Sequence, residues 1–215
     1  MFFKKPSVLG MLQKLNAIIE GHVVLTSGLH TSKYFDADVL YLAPQITLEI
    51  ADRLAQFFIN HNINVVIGPA KGGIIFSQWV AYSLFRFTGR AVLAMYADKH
   101  PNRSCFYLDK KFLPLTGLNT LVVDDSLSTG GSLNQVTRLV QEAGGIVQGV
   151  GVIWNRGGVT ELKSHRVPII ALIIEVIRTW PESECPLCHG TSPEPINSAV
   201  GHGKEFLEKR EECAD

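Results

Sequence analysis

Five short runs rich in Val, Ile and Leu set the narrowest limit on what this chain can fold into. They are NVVIG beginning at Asn64, AVLAMY from Ala91 to Tyr96, TLVVDD from Thr120 to Asp125, IVQGVGVIW from Ile146 to Trp154, and PIIALIIEV from Pro168 to Val176. Continuous apolar runs of this length suit strands that are covered on both faces, as in a parallel sheet. Most of the spacers carry helical spacing. From about Gly73 to Phe87 the apolar positions are Ile74, Ile75, Val80, Ala81 and Leu84. From Ser132 to Ala143 they are Val136, Leu139 and Val140, with Gly144-Gly145 as the stop. Pro44 suits the first turn of a further helix carrying Ile46, Ile50, Leu54, Phe57 and Phe58. Alternating strands and helices of this kind predict an open α/β sheet flanked by helices.

One connection breaks that rhythm. The segment between Tyr96 and Thr120 (ADKHPNRSCFYLDKKFLPLTGLN) has no helical stripe and mixes basic with aromatic residues, which predicts a functional loop or hairpin. The text after Trp180 is polar and rich in Pro and Gly, and reads as a peripheral extension that frays. With 215 residues the chain predicts one domain, and by surface scaling it buries about 70% of the surface its unfolded form exposes. Lys and Arg total 20 and so do Asp and Glu, which argues against a sequence-blind nucleic-acid binder needing excess basic charge. The start, MFFKKPSVLGML, lacks the apolar core and cleavage site of a secretory signal, and the longest apolar stretch is broken by Pro168 and Glu175. The expectation is a soluble cytoplasmic protein with no membrane partner.

The segment that bears chemistry is LVVDDSLSTGGSL, Leu121 to Leu133. A buried strand ends in Asp124 and Asp125, a turn rich in hydroxyls and glycine follows, and a helix begins. Unpaired amides at a helix start suit an anion, glycine lets the backbone approach a phosphate, and hydroxyls add donors. The two carboxylates would repel that phosphate, so they suit sugar hydroxyls, a metal ion or a developing cation beside it. A phosphosugar with a reactive anomeric carbon satisfies both halves. An isolated STGGS turn is an ordinary connector; two acids at a strand end three residues before it are far more specific. No G-x-x-x-x-G-K-[ST] and no G-x-G-x-x-G is present, which sets aside the P-loop and dinucleotide readings.

VVDDSLSTGGS resembles the phosphoribosyl-pyrophosphate (PRPP) motif of type I phosphoribosyltransferases. Gly21 to Asp38 resembles the N-terminal base-binding segment of the orotate phosphoribosyltransferase family, and VIGPAKGGI, Val66 to Ile74, its pyrophosphate loop. VGVIWNRGG, Val150 to Gly158, resembles the later strand whose arginine meets the orotate carboxylate, and PESECPLC, Pro181 to Cys188, the tail of one branch. The resemblance implies a type I phosphoribosyltransferase fold: a single domain over 1–180, with a base-binding hood over about 1–42, a core over about 43–180, and a peripheral extension over 181–215.

It also implies roles. Asp124 and Asp125 face the ribose hydroxyls, Ser128, Thr129, Gly130, Gly131 and Ser132 cradle the 5′-phosphate, and Ser126 belongs to the same PRPP site. Lys71, Gly72 and Gly73 hold the pyrophosphate. Ser27, Gly28, Tyr34, Phe35 and Ser128 line the base, and Arg156 takes its carboxylate through two parallel hydrogen bonds. Lys99 is the first loop candidate for the leaving pyrophosphate. Arg103, Lys110 and Lys111 are further ones, with His100 nearby, although Asp109-Lys110-Lys111-Phe112 stands where the resemblance leads one to expect arginines. Asn155 stands where relatives carry Asp. The implied reaction displaces pyrophosphate from PRPP by a ring nitrogen of orotate through an oxocarbenium-like state, with Mg²⁺ on the polyanion, in a homodimer. The other readings left open are transfer to another base and a PRPP-responsive regulator without turnover. Cys185 and Cys188 supply only two ligands of the four a structural zinc wants, with Cys213, His189 or His202 as possible completers, so reduced thiols are the expectation.

Overall fold

The computed structural model describes residues 6–112, 114–162 and 166–212. The chain opens with α1 (Val8–Lys14), the hairpin strands β1 (Ile18–Val24) and β2 (His30–Phe35), and helices α2 (Ala37–Tyr41) and α3 (Pro44–Ala55). There follow β3 (Val65–Pro69), α4 (Gly72–Thr88), β4 (Leu93–Lys99), the two-residue β5 (Phe106–Tyr107), β6 (Asn119–Leu127) and α5 (Gly131–Glu142). The remainder is β7 (Ile146–Asn155), β8 (Ile169–Ile174), β9 (Thr179–Trp180), α6 (Pro186–His189) and α7 (Gly203–Glu212). No helix among the described residues is long and apolar enough to cross a membrane.

The main sheet has six strands in the order β5-β4-β3-β6-β7-β8, parallel except where the short β5 pairs antiparallel with β4. Each of the five apolar runs becomes one of the parallel strands, and alternation explains their unbroken character. Val66, Leu121, Val123 and Ile153 pack against one group of helices through Ile50 and Leu54 of α3 and Phe76, Val80 and Leu84 of α4. Val65, Ile67, Val122, Val150 and Val152 face the other side, against Leu133, Val136 and Val140 of α5. Successive side chains of a strand point to opposite faces, so burial on both faces demands an apolar residue at every position.

The strand order also fixes where a ligand belongs. From β3 the chain goes to β4 on one side, then returns to β6 on the other, so the winding reverses between β3 and β6. In open α/β sheets the crevice outside the carboxyl ends of the strands at such a reversal is the binding position.

The segment after Tyr96 forms a hairpin, pairing Asp98 with Tyr107 and Lys99 with Phe106, followed by a single 3₁₀ turn, Lys110–Phe112. The tail, peripheral by sequence, docks on the N-terminal hairpin: β9 pairs antiparallel with β2 (His30 with Trp180, Thr31 with Thr179). Asn197 N–H donates to the His22 carbonyl at 2.8 Å, and His202 N–H to that of Val24 at 2.9 Å. A two-residue strand has no periodicity, so nothing in local sequence marks this docking.

Candidate active site

Two loops flank the reversal. After β3, Pro69-Ala70-Lys71 turns into α4, and Lys71 stands at the N-cap without a side-chain cap bond. Gly68 and Gly73 approach so closely that a Cβ on either would strike the backbone of the other. A Cβ on Gly72 would strike the Asp125 carboxylate. Gly68 and Gly73 are therefore set by their mutual contact, and Gly72 by the neighbouring strand end. After β6, the turn Ser128-Thr129-Gly130 leads into α5, with Gly130 in the left-handed conformation at φ 80° and no side chain capping the helix. The first amides of α5 thus have no side-chain cap.

Asp124 and Asp125 lie half-buried in the crevice between these loops. Asp125 N–H donates to Asp124 Oδ1 at 3.0 Å. Burial, and then the charge of Asp125, push the Asp124 carboxyl well above the ordinary range, while Lys99 pulls in the opposite direction. Burial likewise raises Asp125 to about 6, against hydrogen bonds from Ser126 and the charge of Arg156. Lys99, at the exposed end of β4, is thus close enough to bear on Asp124, and Arg156, just past β7, on Asp125.

Arg156 is held by backbone geometry. Its N–H and that of Gly157 both donate to the Leu127 carbonyl, at 2.9 and 3.1 Å. A Cβ on Gly157 would strike the Ser128 carbonyl, which locks this turn against the β6–α5 loop. Asn155, only 4% exposed, braces the same turn: its amide donates to the Val159 carbonyl at 2.7 Å and accepts from Val159 N–H at 3.1 Å. Tyr34 completes the group. Burial, then Asp36, Asp125 and Asp38, raise its hydroxyl's pKa, and Arg156 opposes them.

Other expected residues stand elsewhere. Phe35 is 8% exposed and packs on Trp154, ring centroids 5.9 Å apart, in the core. The expectation that it lines the base is corrected: adjacent residues of a strand face opposite sides, so Tyr34 and Phe35 cannot both face the crevice. Ser27 and Gly28 form the exposed turn between β1 and β2, beside the tail, where Thr26 Oγ1 hydrogen-bonds His202 Nε2 at 3.0 Å. From this turn Tyr34 is at least five strand residues away, about 17 Å at ~3.3 Å per residue. Lys111 pairs with Asp109 at 3.3 Å and lies over the Phe112 ring, so its charge is engaged within the loop. Arg103 and Lys110 are exposed on that hairpin and its 3₁₀ turn.

Two residues absent from the sequence reading belong to the crevice. Tyr41 Oη donates to the Gly72 carbonyl at 2.9 Å, and burial together with Asp125, Asp124 and Asp38 raises its pKa. Asp38 bears on Asp125, Tyr34 and Tyr41 alike. Tyr41 and Gly72 lie 31 positions apart, beyond any local spacing signal.

Comparison with known proteins gives a consistent result. The phosphoribosyl transferase domain model matches residues 38–184. An orotate phosphoribosyltransferase of Caldanaerobacter subterraneus is 37% identical over 185 residues, covering 86% of this chain and 92% of that protein. One of Thermus thermophilus is 30% identical over 186 residues, covering 86% and 97%. Among solved structures, orotate phosphoribosyltransferase of Mycobacterium tuberculosis matches with TM-score 0.61 at 21% identity, covering 78% of this chain and 94% of that one. Adenine phosphoribosyltransferase of Rhodothermus marinus matches almost equally, TM-score 0.60 at 20% identity, covering 78% and 98%. Backbone likeness is thus shared by enzymes named for different bases.

Proposed function

Because the chain belongs to the phosphoribosyltransferase family, in its orotate branch, we propose that it transfers the 5-phosphoribosyl group of PRPP to orotate, giving orotidine 5′-monophosphate and pyrophosphate. The observation that carries the choice of base is Arg156, half-buried in the same crevice as Asp124 and Asp125. A guanidinium matches a planar carboxylate through two parallel hydrogen bonds, and orotate has a carboxylate where purines have none.

The roles follow from position. The amides of α5, with Ser128, Thr129 and Ser132, take the 5′-phosphate. Asp124 and Asp125 accept from the ribose hydroxyls and stabilise positive charge as it grows on the sugar. The amides around Gly72 and Gly73, with Lys71 and Lys99, take the pyrophosphate. Tyr34 lies against the base beside Arg156. Two crowded carboxylates whose pKa values are raised chiefly by burial fit a hard divalent cation, and oxygen donors are what Mg²⁺ prefers. Asp124 and Asp125 would hold it, and when bound it neutralises the polyphosphate of PRPP. The reading includes a homodimer in the cytoplasm, with the exposed hairpin after β4 supplying Lys99 and Arg103 at a closing site that excludes water.

The direct test is loss of orotate absorbance on mixing with PRPP and Mg²⁺. The wild type turns over, and Lys99→Ala lowers kcat on the order of 10²-fold, the scale for removing one charge-stabilising donor. PRPP binding without turnover in the wild type would overturn the proposal.

The acid pair also predicts a pH profile. Asp125, raised to about 6, must be ionised to serve the sugar. For the free enzyme kcat/KM therefore rises with pH through about 6. Asp125→Asn removes its share of that limb, whereas a limb that persists in the variant belongs to Asp124 or to the substrate phosphates.

A further inference from the structure

Away from the crevice, four side chains from both ends of the chain converge: His22 of β1, His30 of β2, and Cys185 and Cys188 of the tail. Their donor atoms all lie within 4.8 Å of one another. Cys185 Sγ is 3.7 Å and Cys188 Sγ 3.6 Å from His22 Nε2, and Cys188 Sγ is 3.3 Å from His30 Nδ1. A tetrahedral zinc, with Zn–N of about 2.0–2.1 Å and Zn–S of about 2.3 Å, sets neighbouring N···S separations near 3.5 Å. Three of the four sulfur–nitrogen separations straddle that value, and the fourth, Cys185 to His30, lies within 4.8 Å. The two imidazole nitrogens are closer, at 2.7 Å, and parting them by about 0.6 Å brings that pair to tetrahedral spacing.

We propose that His22, His30, Cys185 and Cys188 hold one structural zinc ion that fastens the tail to the N-terminal hairpin. Three further observations support a built site. First, His22 Nδ1 hydrogen-bonds the Glu194 carbonyl at 2.8 Å. A carbonyl only accepts, so Nδ1 carries the proton and Nε2 presents its lone pair to the cluster; orientation of a ligand histidine by its second nitrogen is usual in metal sites. Second, the strand register slips between Glu20 and Val23, where Gly21 takes φ 125°, and such bulges re-aim side chains. Third, the site is closed: His22 is 2%, His30 0% and Cys185 0% exposed, and the Phe206 ring of α7 meets His30 edge-on at 5.1 Å. Four protein ligands, three of them buried and Cys188 half-buried, fill a tetrahedral shell and mark a structural rather than a catalytic zinc.

Charge balance agrees with burial. Zn²⁺ with two thiolates and two neutral imidazoles is neutral overall, and the two thiol protons pass to solvent on binding. The partners differ from those that spacing offered. His189 Nε2 is engaged by the Glu182 carbonyl at 3.1 Å and His202 by Thr26, while Cys213 lies outside the described residues. The cysteines are 163 or more positions from His22, so sequence spacing alone could not pair them.

The test is metal content of the full chain. After dialysis against zinc and removal of excess, the wild type carries about one zinc per chain, and Cys185→Ser/Cys188→Ser binds it more than tenfold more weakly. His189→Gln keeps its zinc. In the wild type, Co²⁺ exchanged for zinc gives the intense visible bands of tetrahedral cobalt and a thiolate charge-transfer band. That readout stands even if the double variant does not fold. Less than about a tenth of an equivalent of zinc in the wild type, undiminished zinc in the double variant, or a weak six-coordinate cobalt spectrum overturns the site.

Discussion

Replacing both Asp124 and Asp125 by Asn is expected to lower kcat/KM by on the order of 10³-fold or more, and to leave the fold intact. The two side chains converge at the reversal of strand order, one bearing on Lys99 and the other on Arg156. Asparagine keeps their size but removes the negative charge that a cationic sugar requires. The stability consequence runs in the opposite direction. The crevice raises Asp125 from 3.8 to about 6, so between those values the folded state keeps a proton that the unfolded chain has lost. Stability therefore falls as pH rises through that window, and the loss is complete above it. The double variant escapes this loss, so at pH 7 to 8 its melting temperature equals or exceeds that of the wild type. Thermal denaturation and steady-state kinetics on the same preparations check both halves. Unchanged turnover would remove the acid pair from the reaction.

Arg156→Ala is the second large effect. Charge-assisted hydrogen bonds contribute about 1.5–3 kcal/mol each, so losing a two-bond clamp should raise the KM for orotate on the order of 10²–10⁴-fold. PRPP affinity should hardly move, because the phosphate and sugar contacts lie on other loops. Arg156→Lys should recover only part of the loss, since an ammonium cannot reproduce the planar fork. Titration calorimetry with PRPP, beside orotate saturation curves, separates the two substrates. An orotate KM within about threefold of wild type would place the carboxylate elsewhere.

The parallel sheet was legible because burial on both faces writes itself as unbroken apolar runs, and the turn from β6 into α5 because Ser128 to Ser132 carries glycine and hydroxyls straight after a strand end. What escaped was long-range or fine-grained. Tyr34-Phe35 reads as an aromatic pair, but strand alternation sends Phe35 to Trp154. Lys111 reads as a loop cation, yet Asp109 two residues away engages it. Tyr41 reaches a carbonyl supplied by a different helix, and His22 and His30 meet cysteines from the far end of the chain. Such partners are set by how elements dock, which no local pattern encodes.

The docking of β9 on β2 has a temporal side. Thr31 Oγ1 donates to the Arg178 carbonyl at 3.1 Å across 147 positions, and His22 reaches Glu194 across 172. Contacts of such sequence separation close large loops and form late. During synthesis the first hairpin emerges early and must wait, one edge unpaired, until nearly the whole chain has left the ribosome. The edge of β2 at His30 and Thr31 is thus left open until the tail arrives. A nascent chain halted before Thr179 would lack the strand that covers that edge.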